Sequence, residues 1–391
     1  FRKNITAIAV VTAIGLSAPV FADNSSGSIY GHAVEGETIS IKSLATGLQR
    51  SVTVSDSRRF NFSQLPVGKY KVTNGDESYE ITVAIGTGSS VEFGGNSEII
   101  EVRGQRVSAI DTTSVESTTV FTQEQLQMLP VDRNISEVAL LAPGTTRGDD
   151  GFGDGKLASF GGSSVAENGY YINGFDITNI RTFLSFADLP FDAIAQQQVK
   201  TGGYGAEYGR ALGGVINLVT KSGSNEWAFG GAAYFTPEMF NEPRSNSVTR
   251  DETQDIAHAY HVYNSDNTFS NASYNAWVSG PIIEDKLFFY AMVEGRNNEL
   301  DDYNRVTSTS VKESSPQFLV KLDWNITDNH ILEFTGISNE LDEDYITYDN
   351  TDGVAYTGTH GVESASYSET NGGKVLIAKY TGHLTDNLSI S

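Results

Sequence analysis

From Glu226 onward the chain is written in ribbons with a two-residue period, and the connections between them alternate in length. WAFGGAAYF, YNAWVSG, KLFFYAMVEGR, QFLVKLDWN, HILEFTGIS and KVLIAKYTG are each about the nine to eleven residues that a tilted membrane strand needs. In KLFFYAMVEGR, Leu287, Phe289, Ala291 and Val293 share one face, with Glu294 and Arg296 off it. In QFLVKLDW, Phe318, Val320, Leu322 and Trp324 oppose Lys321 and Asp323, and in HILEFTGIS, Leu332 and Phe334 oppose Glu333 and Thr335. A one-sided soluble sheet has the same alternation, so the connections decide. They run long (about 236–272), short (281–285), long (297–315), short (326–329), long (339–372) and short (385–387). A meander entered from the periplasm gives this order, because outer-membrane barrels have short periplasmic turns and longer outer loops. The expectation is an antiparallel transmembrane β-barrel over residues 226–391. Six strands and the start of a seventh at LSIS are far from the roughly 22 of a plugged barrel, so the barrel is expected to be incomplete.

Charge agrees. The chain carries 26 Lys and Arg against 49 Asp and Glu, a net −23, which removes nucleic acid from the partner classes because that needs a basic face. From Glu226 on there are 9 basic and 26 acidic residues, and the long connections hold much of the acid. There is no cysteine, hence no disulfide or thiolate metal site. At the start, Arg2 and Lys3 precede an apolar run from Ile5 to Leu16 and small residues ending Val20-Phe21-Ala22, which reads as a secretory signal over residues 1–22. The first residue is Phe, so the true start is expected to lie upstream.

Between signal and barrel lie two further grammars. Residues 27–93 alternate in short strands (SIYGHAV, ETISIK, RSVTVSD, FNFSQL, KYKVT, YEITVAI), which predicts a small β-sandwich. Its phrase RRFNFSQLPVGKYKVT resembles the carboxypeptidase regulatory-like domain, with Leu65-Pro66-Val67-Gly68-Lys69-Tyr70 matching and Arg58 where that family has glycine. That resemblance implies no peptidase activity. After a Gly-Ser linker, residues 98–223 read as a compact α/β region. Thr122 and Gln125 make a capping-box start for a helix stopped by Pro130, and a second short helix runs from about Asn134 to Leu141.

The stretch YGAEYGRALGGVINLVTKSG, Tyr204–Gly223, tests a phosphate-loop reading. A dinucleotide fingerprint opens a helix after a strand, whereas these glycines precede a strand. LPFDAIAQQQVKTGGYGAEYGRALGGVINLVTKSG instead resembles the end of the plug domain of TonB-dependent outer-membrane receptors: Ile194, Val199, Tyr208-Gly209 and Gly213 through Lys221 fit that family's wording. LLAPGTT supplies its Pro143-Gly144 turn and YYINGFDI its Tyr strand, with Asn173 in place of Asp, while Gln196, Gln197 and Gln198 replace usual acidic residues. SGPIIEDKLFFYAMVEGR and the order sandwich, plug, barrel resemble the Oar-like subgroup.

The fold class expected is mainly β: a signal peptide, a small β-sandwich, an α/β plug domain and the first strands of an incomplete antiparallel transmembrane β-barrel. The resemblance implies a non-enzymatic receptor in the outer membrane of a Gram-negative bacterium. It would import a bulky nutrient ligand from outside by TonB-driven plug movement, with TonB and its inner-membrane energising complex and outer-membrane lipid as partners. It needs no cofactor and no metal; His258 and His261 read as solvated. A TonB box is placed at Glu98, Ile99, Ile100, Glu101 and Val102, which would join TonB by strand addition. Substrate contacts at the plug apex are placed at Arg147, Phe152, Arg181 and Phe183, since Arg and aromatic residues dominate binding hot spots. The rival reading is an adhesion or protease- or peptide-docking surface protein that uses the barrel as a mount. A signal transducer would need a βαβ domain before the plug.

Overall fold

The structure is a computed structural model and describes residues 25–93, 116–149, 156–181, 183–184, 189–240, 242, 244–248, 260–304, 306–349, 359–385 and 388–391. The expected secretory signal and TonB box, Phe152 and His258 lie outside the described residues.

Seven short strands open the described chain: β1 (Gly27–His32), β2 (Thr38–Ser43), β3 (Gln49–Thr53), β4 (Arg59–Leu65), β5 (Gly68–Asn74), β6 (Glu77–Val83) and β7 (Gly88–Glu92). They form two sheets, β4-β1-β7 and β3-β2-β5-β6, with β1 and β7 parallel and the other pairs antiparallel. Alternate residues Ile29, Ile39, Ile41, Phe60, Phe62, Tyr70 and Val72 meet in one core between the sheets, as a two-layer sandwich requires. The Leu-Pro-x-Gly-x-Tyr phrase has a local use: the buried Tyr70 hydroxyl donates to the Pro66 carbonyl at 2.9 Å, closing the turn into β5. Arg58 adopts φ 54°, keeping a backbone shape that glycine takes without steric cost.

Next come β8 (Ser117–Thr122), α1 (Gln123–Met128), α2 (Ile135–Ala139), the hairpin β9 (Thr145–Arg147) and β10 (Ala158–Phe160), β11 (Gly169–Ile172), β12 (Phe175–Asp176), β13 (Ile194–Gly202) and β14 (Val215–Thr220). The expected capping box starts α1, with Thr122 and Gln125 each bonding the other's backbone N–H. Asn134 caps α2 by accepting from Ser136 and Glu137 N–H. The sheet order is β12-β11-β14-β13-β8, with only β11 and β14 parallel. β14 is buried at all six positions because it lies in the middle.

The remaining strands are β15 (Ala228–Thr236), a small hairpin β16 (Ser247–Val248) and β17 (Tyr260–Val262), then β18 (Thr268–Ile283), β19 (Leu287–Tyr303), β20 (Thr307–Thr327), β21 (His330–Ser338), β22 (Leu341–Asp349), β23 (Val362–Asn371), β24 (Lys374–Thr385) and β25 (Leu388–Ile390). One antiparallel meander joins β15-β18-β19-β20-β21-β24-β25. The faces follow the predicted alternation: Phe318, Val320 and Trp324 stay exposed, while Leu319 and Lys321 between them are buried.

Two expected loops are corrected. The stretch 297–315 is the outer half of the hairpin β19–β20, paired in register from Asn297↔Ser314 to Tyr303↔Ser308. The stretch 339–372 contains β22, which pairs the outer half of β20, and β23, which pairs β22. At about 3.4 Å per residue, the 21 residues of β20 reach roughly 70 Å, well beyond the ~30 Å hydrocarbon layer even when tilted. The outer half of β20, TSTSVKESS, has Val311 as its one apolar side chain and so lacks the greasy face of the inner half.

Candidate functional site

The inner side of the strand wall and the α/β globule share one hydrophobic core. Leu126, Val138, Phe160, Ile172 and Leu218 of the globule cluster with Tyr290, Met292, Leu319, Ile337 and Ile377 of β19, β20, β21 and β24. Each of these wall residues points opposite to the exposed apolar face, so the strands carry grease on both sides for different neighbours.

Polar contacts fix the globule within this seat. Asn173 turns between β11 and β12 at φ 51°. Its Nδ2 donates to Thr220 Oγ1 at 2.9 Å and to Thr335 Oγ1 of β21 at 3.0 Å, while its Oδ1 accepts from the Thr220 N–H at 3.0 Å. All three residues are buried. Asp192, just before β13, is paired with Arg133 and accepts from Tyr234 Oη at 3.0 Å and Asn275 Nδ2 at 2.6 Å, both on the wall. The Arg133 guanidinium lies over the rings of Phe191 and Tyr234, 4.8 and 4.0 Å from their centroids; the planar cation stacks while its edge stays free for the carboxylate.

Lower on the wall, Lys321 lies 3.3 Å from Glu333 and 3.5 Å from Asp323, and donates to Ser222 Oγ at 2.9 Å, just past β14. Glu333 also meets Lys379 at 3.3 Å, and Lys379 donates to Ser25 Oγ at 2.6 Å. Alternating signs let these buried charges compensate one another, which a lone buried ion could not.

The glycine-laden stretch before β14 is a close-packed turn. A Cβ on Gly214 would stand 2.3 Å from the Phe160 ring, and one on Gly213 2.5 Å from Ser163 Oγ. Tyr204 donates to the carbonyls of Ala211 and Gly213 at 3.1 and 2.9 Å. Tyr208 packs edge-on against Tyr171 and Tyr204, with Lys200 over its ring at 4.9 Å and paired to Glu116. Burial pushes the Tyr171 phenol up to about 12 and raises Tyr208 and Tyr204 as well.

A family model described as the TonB-dependent Receptor Plug Domain matches residues 110–215. The chain is also 28% identical over 315 residues to the TonB-dependent transporter Oar of Myxococcus xanthus, a match covering 72% of this chain and 28% of that protein. The globule is a TonB-dependent receptor plug domain. The chain as a whole is similar to Oar-like TonB-dependent receptors, which are outer-membrane transporters and not enzymes. Among solved structures, the chain is similar to the siderophore receptor PirA from Acinetobacter baumannii (18% identity, TM-score 0.42, 68% of this chain and 37% of that one). It is likewise similar to a mutant ferric enterobactin receptor PfeA from Pseudomonas aeruginosa in complex with enterobactin (16%, 0.43, 69% and 39%). The chain spans between about a quarter and two-fifths of the length of these relatives.

Of the residues expected to touch substrate, Arg147 ends β9 and is committed to Glu137 at 2.8 Å. Arg181 is exposed, with its N–H held by Asn179 Oδ1 at 2.8 Å. Phe183 stands half-exposed at φ 60°. Sequence reasoning missed the Arg133–Asp192 anchor and the Lys321–Glu333–Lys379 ladder. Charged side chains on the face opposite the lipid-facing one were the available signal.

Proposed function

We propose that this receptor imports a bulky nutrient across the outer membrane by TonB-driven movement of its plug. The observation that supports the reading most is the core shared by plug and inner wall. A filled lumen lets nothing of size pass until the plug shifts, and shifting a body so packed and bonded takes work that the outer membrane has no gradient to supply. TonB, energised from the inner membrane, is the source this reading requires.

The handle is Glu98-Ile99-Ile100-Glu101-Val102, joining TonB as an added strand whose affinity comes from backbone hydrogen bonds. Arg147, Phe152, Arg181 and Phe183 are the receptor's substrate contacts. The sandwich of β1–β7 is a carboxypeptidase regulatory-like module on the periplasmic side, where the short wall turns lie. The nutrient class is to be found by growth on defined sources after gene deletion. In the intact receptor, Ile100→Pro removes a donor and a strand conformation at once, and is expected to abolish energised uptake while surface expression stays normal. Normal uptake in that variant overturns the handle assignment. Uptake that persists without TonB overturns the import reading.

A further inference from the structure

The three consecutive glutamines of β13 divide by the two-residue period. Gln197 points to one face, where its Nε2 donates to the Ile135 carbonyl at 2.7 Å and holds α2. Gln196 and Gln198 point to the other face and meet a single residue of the sandwich. Gln196 Oε1 accepts from the Ile85 N–H at 2.8 Å, and Gln198 Nε2 donates to the Ile85 carbonyl at 3.0 Å. Gln198 and Ile85 are fully buried and Gln196 nearly so. The Ile85 side chain lies in a small apolar cluster with Val120 of β8 and Val219 of β14. Main chain and side chain of one loop residue are thus both taken up by the plug. The neighbouring Gly86 stands at φ 62°, and a Cβ there would lie 2.4 Å from Gln198 Nε2.

The same end of the sandwich touches the segment that joins plug to wall, and the wall itself. The Ala45 carbonyl accepts from the Asn225 N–H at 2.9 Å, and the Gln49 N–H donates to Asp328 Oδ1 at 3.4 Å in the β20–β21 turn. Behind these contacts lies a cavity of about 320 Å³ between sandwich, plug and wall, lined among others by Tyr70, Ser222 and Thr381.

We infer that the sandwich is a built-in cap, seated on the short-turn mouth of the barrel and locked to the plug by the paired amides of Gln196 and Gln198 on Ile85. Amides are needed because the two roles differ. A carboxylate at 196 still accepts the Ile85 N–H, whereas at 198 it has no proton to offer and sets oxygen against the Ile85 carbonyl in a buried site. The plug cannot carry β13 away while the cap holds, so the contact is autoinhibitory. This arrangement stands whether or not TonB is the motor.

These 391 residues hold no cysteine, so once any cysteine elsewhere in the intact receptor is replaced by serine, introduced thiols report cleanly. In outer membranes carrying the intact receptor, the pair Ala45→Cys with Asn225→Cys places two residues already joined by a backbone hydrogen bond within disulfide reach. Near-complete oxidative cross-linking is expected, and its absence overturns the docked cap. Thr381→Cys, behind the cap, is expected to react slowly with a bulky impermeant maleimide applied from the periplasmic side. Adding Gln198→Glu is expected to lower cross-linking severalfold and speed labelling about tenfold, the scale of one buried hydrogen bond turned to repulsion. Gln196→Glu is expected to do less. Gly86→Ala acts from the sandwich side, leaving the plug sequence untouched, and is expected to reproduce the Gln198→Glu result. Either rate unchanged in both Gln198→Glu and Gly86→Ala overturns the lock, and equal effects of the two glutamate variants overturn the assigned donor and acceptor roles.

Discussion

Asn173 of the plug donates to Thr335 of the barrel wall through an amide nitrogen 3.0 Å from the hydroxyl, at a site where both side chains are buried. The same nitrogen reaches Thr220 at 2.9 Å, so one side chain ties the last plug strand to the wall. Asn173→Asp preserves size and tolerance of the left-handed backbone but removes the donor. The variant is expected to lose about 1–3 kcal/mol of stability, the cost of burying an unmade hydrogen bond. Thermal unfolding of the detergent-purified receptor measures it. With Thr335→Val, a double-mutant cycle should return a coupling well above zero; additive effects would dissolve the link.

The turn before β14 has no room for side chains. Gly214→Ala drives a methyl into the Phe160 ring, and Gly223→Ala drives one to within 2.4 Å of the Phe289 carbonyl oxygen on the wall. Each is expected to cost about 1–3 kcal/mol through overpacking. Limited proteolysis should cut the plug faster in Gly214→Ala than in Gly209→Ala, whose Cβ would come no nearer than 4.0 Å to any neighbour.

Alkaline pH should loosen the tyrosine cluster. The folded-state phenol of Tyr171 sits at about 12, above its ordinary value of 10.0, because burial disfavours the phenolate. Its stabilising contribution is therefore complete below pH 10 and is lost as pH climbs from 10 through 12. Absorbance at 295 nm should show late-titrating tyrosine that diminishes in Tyr171→Phe, and the fall in melting temperature above pH 10 should be shallower in that variant. Identical titrations in the two proteins would refute the assignment.

Arg58 spends backbone energy at φ 54°, a region that costs a non-glycine residue about 1–2 kcal/mol. Arg58→Gly is expected to recover part of that cost, offset by glycine's extra unfolded-state freedom. Hydrogen exchange at Ala33, whose N–H donates to the Arg58 carbonyl at 3.1 Å, should slow in the variant.

The barrel wall was legible because lipid and plug impose opposite demands on successive residues, so Phe318, Val320 and Trp324 separate from Lys321 and Asp323 by period alone. The outer halves of β19 and β20 were not. TSTSVKESS has no greasy face, and only its pairing with β19 on one side and, at Thr307–Glu313, with β22 on the other makes it a strand. The plug's turns were readable from glycine and Asn-Gly punctuation. Its anchors were not, because Asn173 and Thr335 stand 162 positions apart and Asp192 and Asn275 stand 83 apart. Gln196 and Gln198 of β13 stood out as departures from a pattern, yet their shared partner lies more than a hundred residues upstream.

β14 ends at Thr220 and β15 begins at Ala228, with Gly223 pressed against the Phe289 backbone between them. The stopper is thus stitched to its bottle by a thread about 25 Å long at full stretch. Tugged from its leading end, such a body would swing aside or fray from the front, while its far end stayed moored to the wall.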